Sequence, residues 1–321
     1  MSTSEPSVAG IVAAPDLPEV LPPRKERGRV GTVVYRHPTM AFGGLLLALV
    51  VAMAIFAPWL GTVDPTALAP ARRTRPPPDL IAWLSYWFAG GRHPPAVQYW
   101  FGTDMLGRDV YSRVLYGTRV SLIVGFAVAF FSAVVGMVIG LVSGFVRWLD
   151  AVIMRIMDGM MSIPSILLAI ALMALTRGSV RNVIIAITIA EVPRVSRLVR
   201  GVVLSLREQP YVEAAIASGT RTPKIIIKHI LPNTLAPLTV QATFICAAAM
   251  ISEAILSFIG AGTPPIIPSW GNIMAEGRAL WQVKPYIVFF PAVFLSITVL
   301  AVNLLGDGLR DALDPRLAKR I

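Results

Sequence analysis

The sequence predicts an all-α integral membrane protein with about six transmembrane helices, and three observations carry that prediction. Hydrophobic residues make up 55% of the 321 and charged residues only 15%, against roughly 25% charged in a soluble domain. The mean hydropathy is +0.68, and no soluble fold of this length hides that much apolar surface. Apolar stretches of about 20 residues, the length that crosses a bilayer, recur at Met40–Leu60, Val120–Val142, Val152–Leu175, Val183–Leu204, Leu235–Leu256 and Tyr286–Leu305.

Taken in order, residues 1–38 read as a disordered cytoplasmic tail, rich in Pro, Ser, Glu and Arg and without an apolar period. The first span, 39–60, is too long for a cleaved signal segment and reads as a retained anchor. An extracytoplasmic loop follows over 61–115. Its first half contains Pro76, Pro77, Pro78, Pro94 and Pro95, which break a long helix and suggest an extended segment. In its second half Val110, Tyr111, Val114 and Leu115 recur at helical spacing with Arg108, Asp109 and Arg113 turned away, a short interfacial helix. Residues 116–307 form the core, with a polar loop at 205–233, and residues 308–321 a cytoplasmic C-terminal tail.

The third and fourth spans carry charge: Arg155 and Asp158 in one, Glu191, Arg194 and Arg197 in the other. Both sets are spaced for pairing along one helix near its cytoplasmic end, Arg155 with Asp158 and Glu191 with Arg194. With the N-terminus inside, 18 of the 29 Lys and Arg fall on the cytoplasmic side and 11 outside, the bias expected of cytoplasmic termini. The net charge of +11 reads as membrane-surface charge; nucleic-acid binding has no supporting motif.

Ser132, Gly136, Gly140 and Gly144 stand four apart and form a groove for close helix packing, expected within this chain. Cys246 is the single cysteine and reads as a small buried hydrophobe. Glu253 has no opposite charge three or four residues away and lies either near the outer mouth or as a cap on a turn before Gly260. No catalytic or metal-binding set emerges. There is no phosphate-binding G-x-x-x-x-G-K-[ST] loop, Gly260-Ala261-Gly262 runs into Thr263, Pro264 and Pro265, and His37, His93 and His229 lie on separate segments.

The most informative stretch is EAAIASGTRTPKIIIKHILPN, residues 213–233. It reads as two short helices with a glycine hinge. The first runs through Tyr211, Glu213, Ala214, Ala215 and Ala217 and ends at Gly219, suited to a left-handed cap. Thr222 offers a cap oxygen, Pro223 occupies the first helical position ahead of Lys224, and Pro232 prevents the second helix from continuing far. A simple connector would need none of these devices, so the segment reads as a docking element.

The spacing of Glu213, Ala214, Ala215, Gly219, Leu231 and Pro232 resembles the EAA loop of ABC importer permeases. His229 stands where that pattern has Ile, and the ending HILPN is similar to the dipeptide and oligopeptide branch. The strings FGTDMLGRDVYSRVLYGTRVSL from Phe101, EAILSFIGAGTPPIIPSWG from Glu253 and NLLGDGLRDALDPR from Asn303 resemble the C-type subunit of those importers. The resemblance covers about two thirds of the chain. It implies a type I ABC importer permease fold in a bacterial inner (plasma) membrane and a heterodimer with a B-type permease. It also implies one or two cytoplasmic ATPase subunits, which hold the ATP and Mg while this chain binds no cofactor, and an extracytoplasmic binding protein. Membrane lipid is the surrounding partner. On that resemblance Glu213 holds the loop to the ATPase, Gly219 allows its bend, and Ile225, Ile226 and Ile227 fix it to the chain's own helices. The cargo is then a dipeptide or oligopeptide, with nickel chelates, glutathione or haem as alternatives within the class, and an ion-driven secondary transporter as the alternative outside it.

Overall fold

The computed structural model describes residues 38–78 and 99–313, and the expectations for the N-terminal tail, Pro94, Pro95, His37, His93 and residues 314–321 lie outside them. The helices are α1 (Pro38–Phe56), α2 (Val110–Phe145), α3 (Arg147–Met161), α4 (Ser165–Ala174), α5 (Val180–Arg207), α6 (Pro210–Ala217), α7 (Thr222–Ile225), α8 (Leu231–Ile259), α9 (Trp270–Gly277) and α10 (Tyr286–Leu313). Among the described residues, four continuous helical runs are long and apolar enough to cross a membrane: Pro38–Trp59, Val110–Phe145, Thr222–Ile259 and Tyr286–Leu313.

The expected third span is not one helix. α3 and α4 meet at 87°, and counted together they make a fifth crossing. Pro164 takes an extended conformation at the break, where its ring cannot continue the helix begun by α3. The expected fourth span, α5, has the length, 28 residues or about 42 Å. Its arginines and Glu191 keep it short of the apolar standard that the other four runs meet.

α2 is the spine of the bundle. Asp109 caps it, its carboxylate accepting from the backbone N–H of Ser112 at 2.9 Å, and it continues unbroken for 36 residues. Val110–Leu115 are therefore the first turns of this long helix and not a separate interfacial one. Arg108, Asp109 and Arg113 are buried, Arg113 with only 1% exposed. Their burial is possible because Asp104 and Glu276 neutralise the two arginines. Asp104 accepts from Arg108 and Arg113, both at 2.7 Å, and Glu276 pairs with both as well. Glu276 comes from α9, more than 160 positions along the chain, so no local pattern could reveal the cluster.

Around this ionic clamp sits an apolar cap of Val110, Val114, Trp270, Ile273 and Ile287. The Trp270 indole N–H donates to the Val114 carbonyl at 3.1 Å, and Phe101 stacks on Phe290 with ring centroids 4.0 Å apart. A second polar group lies beneath it. The buried Glu253 carboxylate accepts from Ser257 at 2.8 Å, and the Ser257 hydroxyl in turn accepts from the Thr263 backbone N–H at 3.2 Å. Glu253 thus reaches the turn after Gly260 through Ser257, with Gly260 at φ +93 as the left-handed terminus of α8.

Along α2, Gly136, Gly140 and Gly144 lie against Val195, Val199 and Val203 of α5, and Ser132 is buried on the same helix. A Cβ on Gly140 would stand 2.6 Å from that of Val199. The offset of 59 residues is the same at all three contacts, so the two helices run parallel and in register. Membrane interiors offer no hydrophobic drive between helices, so such close van der Waals packing carries association. α1 joins the bundle against α10 by the same device: a Cβ on Gly308 would stand 2.4 Å from that of Met40. Both described ends of the chain therefore meet at one end of the bundle, where Arg310 and Leu313 also approach Leu198 and Pro237.

Three substitutions test this reading. Gly140→Leu overpacks the seam and should cost at least about 1–3 kcal/mol, seen as a lowered thermal midpoint in detergent. Gly201→Leu, on α5, the other helix of the seam, but with nothing within 4 Å of its built Cβ, should leave the midpoint unchanged. Glu276→Ala strands part of the buried positive charge and should cost about 3–5 kcal/mol, measured in the same melt.

Candidate functional site

The segment from Arg207 to Asn233 forms a helical elbow at the end of the bundle opposite the ionic clamp. α5 delivers it in a fixed place. The Arg207 guanidinium donates to the Gly144 carbonyl at 3.1 Å and lies over the Phe145 ring at 5.2 Å, which locks the ends of α2 and α5 together. Glu208 and Gln209 make the corner, and Pro210 starts α6, where its missing N–H has no helical partner to lose.

α6 ends in a Schellman motif. The Gly219 N–H donates to the Ile216 carbonyl at 2.9 Å and the Thr220 N–H to the Ala215 carbonyl at 3.1 Å, while Gly219 sits at φ +70. That backbone region is closed to β-branched residues except at a strain cost. Nothing lies within 4 Å of a built Cβ at Gly219, so the requirement for glycine here is conformational and not a matter of space.

The second half of the elbow departs from the sequence reading in two respects. Arg221, not Thr222, is the N-cap of α7, with no side-chain cap bond, and Pro223 is at the second helical position after Thr222. Pro232 does not stop the chain: α7 passes through a π turn at Ile226–Ile230 directly into α8, forming one run to Ile259. The wider turn bonds the Leu231 N–H to the Ile226 carbonyl, which accommodates the proline ring and its missing donor at the start of the next segment.

One face of the elbow is built into the main core. Val212, Ile225 and Ile230 are fully or almost fully buried, in one apolar cluster with Val199 and Val203, and Ala215 packs against it. Ile226 is half-buried, but Ile227 is exposed and turns away from the chain's own helices, contrary to the role expected for it. Val212 and Ile230 take that anchoring role, which the sequence reading missed. Their signal was helical spacing from Ala215 and Ile226. His229 is half-buried beside Tyr211, ring centroids 6.2 Å apart, and its carbonyl accepts from the Asn233 amide at 2.7 Å. Leu231 is half-buried.

The other face is free. Glu213, Ala214, Gly219, Pro223, Lys224 and Pro232 are all exposed. Interleaved with them are the exposed apolar side chains of Tyr211, Ile216 and Ile227. The chemistry of this face is recognition: it offers one carboxylate, basic groups and a scattered apolar contact area on a backbone held rigid from behind.

Fold and site together define a multi-pass, all-helical membrane protein whose longest packing seam ends in an exposed, rigidly mounted elbow. Residues 120–319 match the family of binding-protein-dependent transport system inner membrane components, and the chain belongs to that family. It is a multi-pass inner membrane protein. The probable peptide ABC transporter permease protein y4tQ of Sinorhizobium fredii is 47% identical over 298 residues, 93% of this chain and 96% of the relative. The dipeptide transport system permease protein DppC of Alkalihalophilus pseudofirmus is 40% identical over 86% of this chain and 85% of its own. The glutathione transport system permease protein GsiD of Escherichia coli is 41% identical over 88% of each. Among solved structures, an inward-facing MetNI methionine ABC transporter covers 63% of this chain and 96% of its own at a TM-score of 0.54 and 23% identity, a likeness of fold.

Ile225→Ala removes a buried anchor of the elbow and should cost about 2–5 kcal/mol of local stability. Hydrogen exchange over 210–230 should accelerate, while exchange in the cap around Trp270 stays as it was.

Proposed function

We propose that this chain is one permease subunit of an ATP-driven importer of dipeptides or oligopeptides, and that the elbow at 205–233 couples it to an ATPase. The observation that carries the proposal is the two-sidedness of the elbow. Val212, Ile225 and Ile230 are sunk in the bundle core while Glu213, Lys224, Tyr211, Ile216 and Ile227 face outward. A partner gripping the outer face pulls on α5 and α8 directly, since no flexible link intervenes.

The mechanism follows from that stiffness. Nucleotide-driven closure of two ATPase subunits draws the elbows of this permease and a second, B-type permease together, and the attached helices switch between inward-facing and outward-facing arrangements. Glu213 makes the polar contact with the ATPase, Gly219 sets the angle between α6 and α7, and ATP and Mg stay on the partner subunits. An extracytoplasmic binding protein delivers the cargo. The termini are cytoplasmic: 18 of 29 Lys and Arg lie on that side of the assigned topology. The meeting of α1 with the end of α10 puts both described ends at one end of the bundle, as this orientation requires.

The peptide assignment is supported by relatives whose names specify peptide and dipeptide transport at 47% and 40% identity. Glutathione, named for a relative at 41% identity, is itself a tripeptide, so the same class of cargo covers both.

Gly219→Val tests coupling. Moving a β-branched residue into φ +70 costs about 1–3 kcal/mol and re-aims the elbow. ATP-dependent peptide uptake in proteoliposomes should fall at least about tenfold, while the chain stays folded with the same helical content and membrane spans, its melting temperature lowered only by the strain, by about ten degrees at most. Unchanged uptake removes the coupling role.

A further inference from the structure

α3 and α5 present charge near the middle of the membrane. The depth can be read from the α2 seam: with the constant offset of 59 set by Gly136, Gly140 and Gly144 against Val195, Val199 and Val203, Glu191 lies level with Ser132, Arg194 with Val135 and Arg197 with Val138. α2 carries no charged residue from Val120 to Val146, a run centred on Ala133. Arg194 and Arg197 are therefore within about 3 and 8 Å of its midpoint along the axis, inside a hydrocarbon layer that extends about 15 Å to either side and not near the cytoplasmic end where the sequence reading put them.

At that depth the side chains are far from buried. Arg194 is 49% exposed, Arg197 51% and Asp158 55%. Arg155 is exposed and has no ion pair among the described residues. Exposed guanidinium groups at mid-membrane do not face lipid; they face a bundle interior or a water-filled cavity. Among the described residues nothing covers their exposed halves. Glu191 is paired internally with Arg194 at 2.7 Å, and Asp158 reaches across to Arg197 instead of to Arg155, as its spacing had suggested. Two carboxylates thus face three guanidinium groups, and the surplus is one positive charge. The Asp158 pair is half-exposed on both sides, the kind of contact that contributes little and yields readily to a competing anion.

We propose that this α3–α5 face borders the translocation pathway and that Arg155, Arg194 and Arg197 receive the carboxylate of the peptide cargo. The inference rests on the importer reading above and adds to it the surface that meets the cargo. Free dipeptides, oligopeptides and glutathione all carry that carboxylate, and a planar guanidinium matches it with two parallel hydrogen bonds.

The test uses the full importer complex with Cys246→Ala, reconstituted in proteoliposomes, and single cysteines placed by Arg194→Cys, Arg197→Cys and Val138→Cys. Val138 is exposed at the same depth as Arg197 but on apolar α2. A charged, membrane-impermeant thiol reagent should label positions 194 and 197 at least about tenfold faster than 138. A dipeptide with a free carboxylate should slow labelling of the Arg197→Cys complex, which keeps Arg155 and Arg194; the same dipeptide amidated at its C-terminus should not. The double variant Arg194→Gln with Arg197→Gln should take up peptide about tenfold more slowly, the loss of a charge-assisted contact, and the corresponding double Lys variant, which keeps the charge but not the planar fork, should recover only part of it. Labelling of the isolated chain but not of the complex would make this face a contact with the second permease and overturn the proposal. Equal labelling at 138 would overturn it too. Wild-type proteoliposomes separate the two levels: ATP-dependent uptake with inaccessible 194 and 197 sinks this inference alone, and absence of any ATP-dependent uptake takes the importer reading with it.

Discussion

The seam between α2 and α5 is the contact on which the other features depend. Lipid gives these helices no hydrophobic reason to associate, so the geometry has to come from surfaces that fit. Three glycines one turn apart remove every side chain that would hold the helices off, and three valines with stiff, β-branched shapes fill the space. A ridge of this kind admits one register, because a shift by one residue would drive a valine into backbone. From that register follow the depth of every residue on α5, the position of Arg207 against the end of α2, and the place where the elbow leaves the bundle.

Charge is handled differently at the start and near the middle of the same spine. At one end Asp104, Arg108, Arg113 and Glu276 form a buried, balanced cluster of two anions and two cations. Such clusters add little net stability over apolar packing but leave a large penalty if one member is lost, so they hold α9 and the 99–109 segment in one arrangement. Near its middle, Asp158 of α3 and Arg194 and Arg197 of α5 are half-exposed. The contrast is physical as well as positional: the first set is satisfied inside the chain and closes a surface, whereas the second leaves a surface open to something outside it.

Much of the fold was legible because bilayer physics writes directly into composition. Apolar runs near 20 residues marked α1, α2, α8 and α10. The break between α3 and α4 was not read, though Pro164 stood in the sequence, since hydropathy averaged over a window is blind to a change of direction. The elbow was legible in part. A glycine closing a short helix before a proline is a local backbone signal, and Gly219 takes the left-handed conformation such a signal requires. Pro232 was read as a stop because local rules treat proline as a breaker; a π turn that ends two residues earlier absorbs it instead. Ile227 was counted among the anchors by its apolar character alone, and helical rotation turned it outward while Val212 and Ile230 turned in.

By itself the sequence determined what is local or additive: a membrane solvent from total apolar content, span lengths, the glycine at the helix terminus, and a stripe of small residues with helical spacing. Each depends on a residue and its near neighbours, or on a sum over all of them. Only the tertiary structure decided which ridge fills that stripe, that Arg113 is buried by a carboxylate more than 160 residues away, and that Asp158 pairs with Arg197 on another helix. Those outcomes depend on distances between segments remote in the chain, which residue order does not state until the helices have been packed.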